Sequence, residues 1–582
     1  MRFASRYAFL AALFLMAAFR LHAQKAIVEE TVTDIRCDGP NHAVQHFREQ
    51  TRILNEQGAS LATFVCSLDS HDRLTDFRGI VTDASGKEIY KIRERNLKRT
   101  EYSPFLAIDE YKLYFDYTPP SYPVTVTYEW TIDTRDNLVE FPRFCPQSDY
   151  EVAVEKAVYR LTVPERMEIR HALRNIAPAS IADSMSRYSK TYTLELAHLP
   201  AIHREPYARP LVERCPMAYF APADFTYYGT KGSLRSWKDY GLWEYSLISG
   251  TGALPEEACH RVHQLTDTLS TIREKVQALY QELGRTTRYV AILLGIGGQR
   301  PAPAASVWRT GFGDCKGLTN YMQAMLREAG ITSHYTTVST SNRRLLPDFA
   351  SVGQLNHVVL QVPLSGDTLW LECTNPQLPF GFVHSDIAGH DAIEVSQQGG
   401  RLVRIPAYAD SLSLLRRTFM MEVLPTGAIT VDFRQEGHGG RLLEASEEQA
   451  PAPKPRATVT GQRMFIPVSP LSRRYRGSES SAARQEDVWI ATGYCDEDDI
   501  TIVIPEGYDI EAMPRAVSLH QPFGSFVFDI SSSGREIHAT YRLLISSGHY
   551  AKTAYPELVA FQKTIVDIYN QKIVVKKSQP EE

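Results

Sequence analysis

Gly313-Asp314-Cys315-Lys316-Gly317-Leu318-Thr319-Asn320-Tyr321-Met322-Gln323-Ala324-Met325-Leu326-Arg327-Glu328-Ala329-Gly330 is the stretch on which the reading of this chain turns. Leu318, Tyr321, Met322, Met325, Leu326 and Ala329 fall at i, i+3, i+4, i+7, i+8 and i+11, one face of an α-helix, and Gly330 ends it. Cys315 stands ahead of that stripe, in the first turn. Unpaired backbone N–H groups and the helix dipole favour an anion there, and a thiolate is the nucleophilic form of cysteine. The backbone N–H of Cys315 is also placed to serve an oxyanion. A cysteine that only fills a core would more often lie within the apolar stripe.

Downstream, Ile331 to Val338 reads as a strand. Asn356-His357 then leads into apolar Val358 to Val362, and Thr368 to Thr374 follows a turn near Ser365-Gly366-Asp367. If Ser365-Gly366 is a two-residue hairpin turn, residue 357 lies opposite 374. Glu372 then shares a face with His357, and Cys373 points away. A longer or shorter turn would reverse that parity. The candidate set is therefore Cys315 as nucleophile, His357 as base and Glu372 as the carboxylate that orients the imidazole.

Upstream, residues 24–245 are mostly period two. Val124, Val126, Tyr128, Trp130 and Ile132 alternate with Thr125, Thr127, Glu129 and Thr131, and Ala157, Tyr159, Leu161 and Val163 repeat the pattern. This predicts an N-terminal β-sandwich. The aromatic run from Tyr219 to Tyr245 suits packing at a domain junction better than sugar stacking. Leu269, Ile272, Val276, Leu279 and Leu283 predict a helix capped by Gly284, and Tyr289 to Leu294 a buried strand. Gly295-Ile296-Gly297-Gly298 lacks the Lys-Ser/Thr pair and spacing of a nucleotide loop. From 411 the pattern is β again: Phe419, Met421 and Val423 turn at Pro425-Thr426-Gly427 into Ile429, Val431 and Phe433. Ala450 to Pro455 is a short Pro-rich loop, and a helix is expected from Pro556.

The 582 residues are 43% hydrophobic and 23% charged, the composition of a folded chain of several domains. Arg2 and Arg6 precede an apolar run from Tyr7 to Phe19, a secretory signal pattern with cleavage near Ala23. The expected mature protein is periplasmic or extracellular, without a transmembrane span. Removing that segment, whose only charges are Arg2, Arg6 and Arg20, takes the net charge from −5 to −8. An acidic mature chain argues against nucleic acid as partner. The eight cysteines are scattered, with no C-x-x-C pair. His260 and His263 share a helix face without a third metal ligand, and Asp496-Glu497-Asp498-Asp499 reads as a solvated acidic turn, so no metal or other cofactor is expected.

Gly-Asp-Cys-Lys opening a helix, Asn-His on a strand, and Trp370-Leu371-Glu372-Cys373-Thr374 on the next together resemble the bacterial transglutaminase-like superfamily. Thr51-Arg52-Ile53-Leu54-Asn55-Glu56-Gln57-Gly58 resembles the N-terminal β-sandwich of unknown function that accompanies such cores, and the tail resembles their C-terminal β domain. The resemblance implies a multidomain α+β chain: signal peptide 1–23, β-sandwich 24–245, a transglutaminase-like (papain-like) α+β core 246–410, and a β-rich domain with a terminal helix 411–582. Carried over, Cys315 is the nucleophile, His357 the base, and Glu372 stands where the family usually has Asp. Asn375 is a rival orienter, and Gln299 and Trp308 are candidates for oxyanion or orienting roles. The implied activity is a thiol acyl transfer on a peptide or protein amide in the cell envelope, by hydrolysis more than cross-linking. The competing reading is an inactive relative kept as a binding or assembly module. The oligomeric state is not legible.

Overall fold

A computed structural model describes residues 24–101, 107–446, 455–471 and 484–578. The expected leader, 1–23, and most of the Pro-rich loop lie outside them. The chain divides into two compact units: one holds residues up to Arg204, Pro210–Phe382 and His390–Ile405, the other Glu205–Arg209, Val383–Gly389 and the chain from Pro406 onward.

In the first unit, the period-two segments form an eight-stranded sheet. Its spatial order is Ile181–Met185, Ser189–Leu199, Val152–Pro164, Ala26–Gly39, His42–Ile53, Val124–Arg135, Asp72–Asp83, Glu88–Arg93. Neighbours are antiparallel except Ala26–Gly39 with Val152–Pro164. Val124, Val126 and Tyr128 are buried, with half-buried Thr125 and Thr127 between them. Smaller sheets supply apolar partners. Phe64, Cys66 and Leu68 cluster with Phe77, Val126 and Tyr128, and Phe220 stacks on Tyr159 at 4.8 Å.

The core of this unit is a five-stranded antiparallel sheet, in the order Asp367–Leu371, His357–Leu364, His334–Val338, Asp391–Ser396, Gly399–Arg404. Leu318, Tyr321, Met322, Met325 and Leu326 of the helix Cys315–Glu328 are all buried. They pack with Val276, Leu279 and Leu283 of the helix Ile272–Thr286 and with Leu360, Leu369 and Leu371 of the sheet. Each such side chain contributes roughly 1.5–3 kcal/mol by burial. The aromatic run supplies another layer: Trp237, Tyr240 and Trp243 are buried on the helix Trp237–Ile248. Gly241 of that helix lies against the backbone of Gly400, where a Cβ would meet its N at 2.0 Å. Position 245, the expected end of the N-terminal domain, therefore falls inside a helix of the core.

Two upstream expectations are corrected. Leu269 lies between two helices, Glu256–Thr266 and Ile272–Thr286, because Thr271 and Glu274 form a capping box that starts the second afresh. That helix runs through Gly284, whose missing Cβ lets Pro376 pack at close range, so Gly284 is no cap. Tyr289 to Leu294 is not a buried strand. It splits into Arg288–Tyr289, paired with Phe312–Gly313, and Ile292–Leu293, paired with Ala107–Ile108. Tyr289, Val290, Ile292 and Leu294 are all exposed.

The second unit is built on a six-stranded sheet: Ile429–Gly437, Leu414–Val423, Tyr494–Val503, Glu536–Ile545, Gly524–Ser533, Val517–Gln521. The hairpin at Pro425-Thr426-Gly427 pairs Val423 with Ile429. The helix Tyr555–Tyr569 buries Leu558, Phe561, Ile565 and Ile568. Asp496–Asp499 is a correction: it is the middle of a strand, and alternation turns Asp496 and Asp498 inward, 3% and 2% exposed. Arg417 Nε donates to Asp498 Oδ1 at 2.5 Å, the Tyr569 hydroxyl donates to Asp498 Oδ2 at 2.7 Å, and Arg441 pairs with Asp496. The chain is thus strand-rich and multidomain, with helices packed on the central core sheet and one long helix, Tyr555–Tyr569, in the second unit. Among the described residues no helix is long and apolar enough to cross a membrane.

Candidate active site

Asp314 has extended backbone and caps the Cys315 helix, its Oδ1 accepting from Gly317 N at 2.8 Å. Its other oxygen pairs with Lys316 Nζ, and both side chains are almost fully buried. The residues on either side of Cys315 are thereby tied together. Cys315 is 8% exposed and, as the first helical residue, its N–H has no carbonyl partner within the helix.

His357 opens its strand, and Asn356 before it is held by its backbone N–H to Val338 O and by Thr340 N–H to its Oδ1. The hairpin pairs Leu364 with Asp367 and Leu360 with Leu371, with Gly366 at φ +78° in the two-residue turn. Continued outward, that register sets 357 opposite 374. His357 Nε2 and Glu372 Oε2 are 2.8 Å apart. Glu372 Oε1 accepts from Thr374 N–H at 3.0 Å and from Thr374 Oγ1 at 2.5 Å, so both carboxylate oxygens are engaged. With Nε2 occupied by Glu372, Nδ1 is the ring nitrogen left free of the carboxylate, and Cys315 lies within electrostatic reach of the imidazole.

Electrostatics follow from this chain of three. Burial alone would push the His357 imidazole down, but the adjacent Cys315, the Glu372 hydrogen bond and the charges of both raise it to about 10. Burial would likewise raise Glu372, yet the His357 bond and charge and the Thr374 bonds hold its carboxyl below the usual range. A protonated imidazole bonded to an ionised Glu372 is the state these contacts favour. Cys373, on the other strand face, is fully buried, and burial with the Glu372 charge pushes its thiol well up.

Of the remaining candidates, none is brought into this chain. Asn375 is exposed, and its carbonyl accepts from Leu378 N–H. Trp308 packs against the helical cluster around Leu318 and Met322. Gln299 is half-buried, its N–H donating to Ile296 O. His263 bonds Asp267 and Glu328 at the surface, and among the described residues no His, Cys, Asp and Glu group is arranged to hold a metal.

Sequence reasoning missed three neighbours. Tyr289, though 46% exposed as a whole residue, lies within electrostatic reach of Cys315, Asp314 and Glu372; partial desolvation of its hydroxyl and those charges raise it to about 12. Thr374 completes the carboxylate's bonding. Glu244 is 1% exposed and packed beside Tyr240, with Oε2 unpartnered. Burial raises it to about 8, opposed by the Lys316 charge. Its signal was present: Trp237, Tyr240, Gly241, Glu244 and Ile248 fall at i, i+3, i+4, i+7 and i+11 of one buried face.

Residues 260–374 match the model of the transglutaminase-like superfamily core. Residues 40–203 match a domain of unknown function, DUF3857, and 462–575 another, DUF3858. The chain therefore carries a transglutaminase-like core flanked by these two β domains. No curated protein matches it. Among solved structures it is similar to one named "putative protease" from Parabacteroides distasonis, at 12% identity and TM-score 0.69, covering 95% of this chain and 99% of that one. It also aligns with a "putative cysteine protease" from Cytophaga hutchinsonii (10% identity, TM-score 0.17, 63% and 80% covered). A third is an M1 zinc metallopeptidase from Deinococcus radiodurans (11%, TM-score 0.18, 44% and 53% covered). The first of these three speaks for a shared fold along nearly the whole chain.

Proposed function

We propose that the protein is an exported cysteine enzyme that cleaves an amide bond of a peptide or protein in the cell envelope through an acyl-enzyme. The observation that carries this is the His357–Glu372 hydrogen bond beside Cys315, which acts electrostatically on the imidazole and opens a helix. In this reading the Cys315 thiolate attacks the carbonyl carbon, and the carbonyl oxygen takes the charge, facing the Cys315 N–H. The C–N bond breaks as His357 passes its proton to the departing amine. Glu372 keeps the imidazole oriented and stabilises its charge. Water, giving a proton to His357, then opens the thioester and frees the acid. An amine in place of water would make the same site a cross-linker; hydrolysis is the reading adopted.

The test is an acyl trap. The purified mature protein is incubated with a library of peptides ending in electrophilic carbonyls, and adducts are located by peptide mass spectrometry. Adducts on Cys315 that vanish in His357→Ala support the proposal. No adduct on Cys315, with ordinary thiol behaviour in both proteins, supports the binding-module reading instead.

A further inference from the structure

Two other cysteines meet. The Sγ atoms of Cys145 and Cys215 are 3.9 Å apart, and among the described residues no other two cysteine sulfurs are in contact. Both backbones are held where they meet. Phe144, before Cys145, exchanges both backbone hydrogen bonds with Ala218, at 2.9 and 3.0 Å. Cys215 ends the short helix Leu211–Arg214 through its N–H to Leu211 O at 2.9 Å, and its carbonyl accepts from Asn175 Nδ2 at 2.9 Å. The pair is 70 residues apart in sequence and encloses the strands Val152–Pro164 and Ser189–Leu199. By contrast Cys37 faces Met167 Sδ at 3.7 Å, and Cys373 is sealed in the core.

We propose that Cys145 and Cys215 are a redox site that closes to an intramolecular disulfide on meeting a disulfide-class oxidant. The order of events follows from exposure: Cys145 is partly exposed and Cys215 is 1% exposed. The Cys145 thiolate attacks a sulfur of the oxidant, forming a mixed disulfide and releasing one thiol. Cys215 loses its proton and attacks the Cys145 sulfur, expelling the second thiol. Two protein thiols have then given two electrons and two protons to one oxidant disulfide, which leaves as two thiols. Hydrogen bonding from Cys215 helps by lowering the Cys145 thiol to about 7, burial opposing. Cys315, with no cysteine in contact, has no partner to resolve a mixed disulfide and stays outside any intramolecular cross-link.

The experiment uses the full mature chain, reduced, then treated with oxidised glutathione, blocked with N-ethylmaleimide and digested without reductant. The expected result is one cross-linked peptide joining Cys145 and Cys215, with Cys315 in no cross-link, carrying either maleimide or glutathione. Cys215→Ser should instead accumulate glutathione on Cys145, and Cys145→Ser should leave Cys215 a thiol. Absence of the cross-link in the unmutated protein, or a cross-link to any other cysteine, overturns the proposal, and that result needs no variant to fold. It does not depend on the proposed catalysis, since the readout is the covalent state of two residues outside the active site.

Discussion

Two buried clusters of charge sit on β-strands in this molecule, one in each unit, and they differ in what their cations can do. In the second unit Asp498 is held by Arg417 and the Tyr569 hydroxyl, and Asp496 by Arg441. An arginine does not give up its proton, so the cations of that cluster cannot hand one on, and it serves the fold. In the first unit Glu372 is likewise buried and bonded on both oxygens, but its cationic partner is a histidine, and beyond the histidine lies a thiol. That chain can move a proton. Burial of a carboxylate marks neither function nor structure; the partner decides.

The comparison can be broken first at Asp498. Asp498→Ala leaves the largely buried Arg417 with only the longer 3.4 Å contact to Asp496 and strips the Tyr569 hydroxyl of its acceptor, and should cost about 3–5 kcal/mol in urea unfolding. Alkylation of Cys315 in the folded protein should be unchanged. If stability holds, the cluster is not structural in the sense argued.

Glu244 sharpens the contrast, as a buried carboxylate without a full partner. Its folded value, about 8, lies above the ordinary carboxylate value, so folding favours its protonated form. That contribution is complete at pH below about 4.5. It is lost as pH rises through about 8, at up to about 1.4 kcal/mol per pH unit. Glu244→Gln should therefore flatten the fall in melting temperature between pH 5 and 8. An unchanged slope would mean another group carries it.

At the active site, Glu372→Gln keeps the shape and removes the charge that holds the imidazolium. Alkylation of Cys315 near neutral pH should slow about tenfold, one pKa unit of ion-pair stabilisation, with little change in melting temperature. The smallest effect is expected from Thr271→Ala, which removes a helix cap remote from both clusters and should cost about 1 kcal/mol without touching reactivity.

Most of the core was legible because its signals are short-range. The stripe behind Cys315 and the two-residue turn at Ser365-Gly366 set a helix face and a strand parity, and parity placed Glu372 beside His357 and Cys373 away from it. The acidic run Asp496–Asp499 misled because charge density resembles a solvated turn; only the pairing of its strand shows that alternate members face inward onto arginines far away in sequence. Tyr289 to Leu294 looked like core by composition, yet its pairing with Phe312–Gly313 and Ala107–Ile108 leaves the apolar side chains exposed. Thr271 and Glu274 restarted a helix where an apolar spacing suggested continuity.

The central claim is that Cys315 and His357 form an ion pair, and the rate of iodoacetamide labelling at Cys315 across pH 4–10 tests it most directly, read by peptide mass spectrometry in the mature protein and in His357→Ala. The account predicts labelling already fast near neutral pH and markedly slowed by the substitution. Labelling that rises only toward the ordinary thiol value of about 8.5, identically in both proteins, would contradict it.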